Sequence, residues 1–145
     1  MSLSWFVSWA VRRTNRWWGC LLVLGLAMAG TASFAVERGF PFDRELLLDA
    51  KPMKGSKRVP VLSIGPKGEA AIDLWCNSVA AQLVVANSTI TILAGEKTAK
   101  QCDAARMKSD DDLLAALLQV TNWRRDGHVL TLSGGKTLRF LSATN

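Results

Sequence analysis

The side chains that could do chemistry here are few and widely spaced. His128 is the single histidine. A general base needs a nucleophile within hydrogen-bond reach, and His128 directly follows Asp126-Gly127, a turn pair, so its expected place is a solvent-facing loop. Asp110-Asp111-Asp112 gathers three carboxylates. A calcium loop alternates its ligands and ends in Glu, so the plainer reading is a set of acids at a helix start, where the dipole favours them. Gly134-Gly135-Lys136-Thr137 resembles part of a phosphate loop. It lacks the full spacing and leads into a strand pattern instead of a helix. No Cys-x-x-Cys is present, so a metal site is not expected. The sum of these readings is a protein that is not an enzyme and carries no cofactor.

Two other groups could bind rather than react. Lys51, Lys54, Lys57 and Arg58 form a basic loop broken by Pro52 and Gly55. It is a candidate partner surface for acidic lipid headgroups or an acidic protein, with a solvated loop as the plainer alternative. Trp75 and Trp123 could stack a ligand, but a strand Trp is more often core or a barrel plug.

Charge is unevenly spread. Residues 1–35 hold three Arg and no acid, so the +6 of the whole chain falls to +3 over residues 36–145. That balance is ordinary for a domain surface and argues against nucleic-acid binding, which needs cations clustered on one face. Residues 1–35 read as a secretory signal peptide. Arg12, Arg13 and Arg16 precede the apolar run 19–30, and Ser33-Phe34-Ala35 supplies small residues for cleavage after Ala35. An uncleaved membrane anchor is the alternative, but a span wants about 20 apolar residues and this run is shorter. After cleavage no integral span is expected, and the location is periplasmic or secreted.

Removal of the leader removes Cys20 and leaves Cys76 and Cys102 as an even pair. In an oxidising compartment such a pair is expected to bond.

The elements that must position these residues follow from pattern. Residues 36–44 form an irregular lead-in, and 45–145 one domain. Strands are expected at Glu45–Ala50, Val59–Ile64 and Glu69–Cys76, the last two joined by the Gly65-Pro66-Lys67-Gly68 turn. Val79–Ala86 and Thr89–Leu93 form a hairpin about Asn87-Ser88. Ala94-Gly95-Glu96 then turns the chain into a short strand at Lys97–Cys102. Ser109 is expected to cap a helix, with Asp112 three residues on, and Leu113, Leu117 and Val120 on its apolar face. A terminal meander covers 122–125, 128–133 and 136–141, turning at Asp126-Gly127 and Gly134-Gly135. The fold class is α+β: a mostly antiparallel curled sheet or cracked β-barrel with one packed helix.

From Cys76 onward the ordered signals resemble the META domain, the family of the bacterial heat-shock protein HslJ. The resemblance rests on Cys76-Asn77, Thr98-Ala99-Lys100-Gln101-Cys102, the run Leu113–Leu117, and Val120–Gly127 with Leu130-Thr131-Leu132 and Leu138-Arg139-Phe140. Trp75, Ala81 and Leu83 stand where that family commonly has Gly, Gly and Tyr. The resemblance implies a cracked β-barrel with a helix, exported or lipid-anchored, associated with heat or antibiotic stress at the envelope. The architecture is similar to that of a type III secretion pilotin, which suggests binding of lipid or a partner peptide.

The expectation is therefore an exported envelope protein with a non-catalytic binding or structural role in stress tolerance. The alternative is a carrier of lipid or another small apolar ligand, held in an open barrel cavity.

Overall fold

The computed structural model describes residues 39–142. The expected signal peptide and its cleavage site lie outside the described residues.

Eight antiparallel strands close into a barrel in sequence order. They are β1 (Arg44–Leu48), β2 (Val61–Ile64), β3 (Glu69–Asp73), β4 (Ser78–Ala86), β5 (Thr89–Lys97), β6 (Asn122–Asp126), β7 (Val129–Ser133) and β8 (Leu138–Ser142). One helix, α1 (Ala104–Leu118), is the connection between β5 and β6. Closure comes from β1 against β8, with Leu46 opposite Ser142 and Leu48 opposite Phe140. The weakest seam is β5–β6, where a single register pair, Thr89 with Asn122, joins the strands. The chain leaves the sheet for α1 beyond Lys97, at the far end of β5, and rejoins it at Asn122.

Strand alternation fills the inside. Leu46, Leu62, Ile72, Ile90, Leu130, Leu132 and Phe140 are all fully buried. Each such side chain contributes about 1.5–3 kcal/mol by leaving water. Helix α1 adds Leu113, Ala116 and Leu117, spaced to share one face, and Val120 follows just beyond its end. Trp123 packs at the rim of this core, edge-on to Phe40 with ring centroids 5.1 Å apart.

Four expectations need correction. The helix starts at Ala104, not after Ser109. Asp103 is the cap, in extended conformation, and its carboxylate accepts the Arg106 N–H at 3.0 Å. The intervening Ala-Ala-Arg-Met-Lys are all strong helix formers, and they carry the helix one and a half turns further back. Asp110, Asp111 and Asp112 are therefore mid-helix residues.

Ala94-Gly95-Glu96 is no turn, since β5 runs on to Lys97. Val79 pairs with Lys97 but Ala81 pairs with Ala94, so β5 holds one extra residue there. The Gly95 signal marks a β-bulge, which bends a strand without reversing it. Lys97–Cys102 is accordingly not a separate strand. Strand β3 stops at Asp73 rather than Cys76, because Leu74–Asn77 turn to meet α1.

Candidate functional site

The loop between β3 and β4 is built around one carboxylate. Asp110 is completely buried. Its Oδ1 accepts the backbone N–H of Trp75 at 2.8 Å and of Cys76 at 3.1 Å. Its Oδ2 accepts the Asn77 backbone N–H at 2.9 Å and the Asn77 side-chain amide at 3.1 Å. Four donors satisfy the charge, which makes its burial tolerable. Asn77 passes the connection onward, its Oδ1 accepting from the Thr98 hydroxyl at 3.0 Å and the Lys100 N–H at 2.7 Å. Cys76 is disulfide-bonded to Cys102, with Cα atoms 6.2 Å apart. Helix, β3–β4 loop and the segment after β5 are thus tied at one point.

The other two acids of the trio face solvent. Asp111 pairs with Lys97 and Asp112 with Lys108 at 2.8 Å. The hydrogen bond from Lys108 to Asp112, and then that carboxylate's charge, hold the Lys108 ammonium above its ordinary pKa.

Beside this tie lies a polar cleft of about 370 Å³. Its walls include Arg58 from the β1–β2 loop, Lys100 from the segment after β5, Arg106 from the first turns of α1, and Asp73 from the end of β3. Cys76 and Trp75 form part of the wall. Arg106 reaches across to the β1–β2 loop: a Cβ on Gly55 would lie 3.4 Å from its Nη2. Its Nε is buried 3.0 Å from Asp103 Oδ2, a charge contact without hydrogen-bond alignment. The side chains of Arg58 and Lys100 have no ion-pair or hydrogen-bond partner among the described residues. A second groove, about 390 Å³, shares Arg58, Val59, Val61 and Asp73 with the cleft and extends along Leu47 and Lys57.

The sequence-predicted surface is thereby split. Lys51, Lys54, Lys57 and Arg58 all lie exposed on the β1–β2 loop. Only Arg58 enters the cleft, Lys57 borders the groove, and Lys51 and Lys54 line neither. Sequence reasoning missed Lys100, Arg106 and Asp110. For Asp110 a signal existed: it stands three and seven residues before Leu113 and Leu117, on the apolar face, where an acid needs a buried partner. His128 lies exposed in the β6–β7 turn, and no described side chain hydrogen-bonds its imidazole. Trp75 is half-buried against the cleft and stands outside the core cluster, unlike Trp123.

These features define a small disulfide-tied antiparallel barrel with one helix inserted before its last three strands. The META domain model matches residues 44–145, and the chain belongs to that family. Among solved structures it is similar to "NMR structure of the protein from Burkholderia xenovorans", at 17% identity and a TM-score of 0.59, covering 72% of this chain and 84% of that one. A second, titled "NMR structure of the protein", shares 18% identity with a TM-score of 0.52, covering 68% and 88% of the two chains. At such identities the likeness is one of fold. No curated protein matches the chain.

Proposed function

We propose that this is an exported envelope protein whose META-domain barrel serves as a non-catalytic binding module, linked to tolerance of envelope stress. The observation that carries the reading is the Cys76–Cys102 bond beside an open, cation-lined cleft. Disulfides persist in oxidising compartments and are rare in the cytosol, in keeping with the signal-like order of residues 1–35. The non-catalytic part rests on the exposed imidazole of His128, to which no described side chain is hydrogen-bonded; the Ser142 hydroxyl donates to its backbone carbonyl instead. The carrier alternative has no such support, because large aliphatic side chains and Phe140 occupy the barrel interior.

Protein recovered from its native host tests the reading. The expected result is an N-terminus close to residue 36 and no free thiol at Cys76 or Cys102. An unprocessed N-terminus with both thiols reduced overturns it. Deletion of the gene is expected to lower survival under envelope stress.

A further inference from the structure

We infer that the cleft between the β1–β2 loop, the β3–β4 loop and α1 takes the phosphate of an anionic phospholipid, so that this end of the barrel docks on a membrane surface. The inference rests on the binding-module reading and names its ligand.

Charge is the first argument. Arg58, Lys100 and Arg106 converge on one cleft whose lining holds one carboxylate, Asp73, with Asp103 paired to Arg106. Arg58 and Lys100 have no counter-ion among the described residues, so their charge is available to a ligand. Asp103, 3.0 Å from the Arg106 Nε, offsets that guanidinium, and Asp110 has both oxygens occupied by the β3–β4 loop, so the free charge of the cleft is that of Arg58 and Lys100. Guanidinium groups bind phosphate through paired N–H donors, and Lys adds a point charge. The loop that supplies Arg58 also carries Lys51, Lys54 and Lys57, all exposed. Such a run strengthens attraction to an anionic bilayer over about a Debye length of 8–10 Å.

Shape is the second argument. A free phosphate would leave most of 370 Å³ empty. The cleft shares Arg58, Val59, Val61 and Asp73 with the adjoining groove, where Leu47, Val59 and Val61 offer apolar surface beside Arg58 and Lys57, and Glu45 adds one carboxylate. That sequence of charge, then apolar strip, matches a headgroup followed by glycerol and the start of an acyl chain. Asp73, on the shared edge, is an acceptor for a headgroup hydroxyl. A peptide partner is less well served. Strands β1, β2 and β3 are each paired on both sides, so no free edge is present there for an added strand.

Vesicle co-sedimentation of the full chain tests this at about 0.15 M salt. One set is pure phosphatidylcholine, and the other holds about one third phosphatidylglycerol. Any affinity of residues 1–35 for bilayers is common to all variants, so differences between variants report the cleft. Binding to the anionic set is expected to be at least about tenfold tighter. The double variant Arg58→Gln/Lys100→Gln removes two unpaired cations and should lose most of that preference. Lys51→Gln/Lys54→Gln removes the same charge away from the cleft and should lose clearly less. Equal binding to both vesicle sets overturns the inference, as does an equal loss in the two double variants. Displacement of the protein from vesicles by submillimolar inorganic phosphate would also overturn it, in favour of a soluble phosphate ligand. A processed, disulfide-bonded protein that ignores anionic vesicles but crosslinks to an envelope protein would sink the lipid assignment alone.

Discussion

Asp110 is the residue on which the local architecture depends most. Its side chain collects three consecutive backbone N–H groups and one amide, all from a loop more than thirty positions earlier. Asp110→Ala would leave those donors enclosed without an acceptor. Each such group costs about 1–3 kcal/mol, so a total loss of about 3–5 kcal/mol is expected. Urea denaturation followed by far-UV circular dichroism should show the midpoint falling with little change in slope. A loss below about 1 kcal/mol would mean that water replaces the carboxylate. Lys108 and Asp112 are the contrast: both are exposed, and removing that pair should change stability by no more than about 0.5 kcal/mol.

At the level of elements, turns set the register of the barrel. Gly65-Pro66-Lys67-Gly68 joins β2 to β3, with the Gly65 N–H donating to the Glu69 carbonyl at 2.7 Å. Gly68 has φ +84°, and a Cβ there would stand 2.4 Å from the Leu83 carbonyl of the neighbouring β4. Gly127 also has positive φ, at 58°, but open space surrounds its missing side chain. The two positions separate backbone conformation from close approach. Gly127→Ala should cost about 1 kcal/mol, the left-handed backbone alone. Gly68→Ala should cost about 2–4 kcal/mol, since β3 and β4 must also move apart. Thermal melts of the two variants give the comparison, and equal costs would show that the strands yield freely.

For the whole molecule, the disulfide ties the β3–β4 loop to the segment that leads from β5 into α1. The bonded residues are 26 apart in sequence. A loop of that length corresponds to about 3.5 kcal/mol in the chain-entropy account, a large share of a net stability of about 5–15 kcal/mol. Cys76→Ser/Cys102→Ser is expected to lower the unfolding free energy by about 3 kcal/mol, read from guanidinium melts under identical buffer conditions. Much of this molecule was legible in the chain itself. The class, a mostly antiparallel curled sheet or cracked barrel with one helix, followed from alternating strands, Asp126-Gly127 and the Gly-Pro turn, because φ preferences and side-chain period are local properties, while closure into a barrel is seen only in the β1–β8 pairing. The start of α1 was not, because Ser109 and the acids after it read as a cap by local rules while Asp103 holds the position. Nor was the bulge at Gly95, since a glycine permits a turn and a bulge equally and only the partner strand decides. The cleft is the clearest case. Arg58, Lys100 and Arg106 are 42 and 6 residues apart in the chain, and no periodicity joins them. Sequence alone determined which residues are cationic and which faces are apolar. Only the tertiary fold decided which cations share one cleft, because the convergence of the β1–β2 loop, the segment after β5 and α1 depends on barrel closure and on a buried carboxylate.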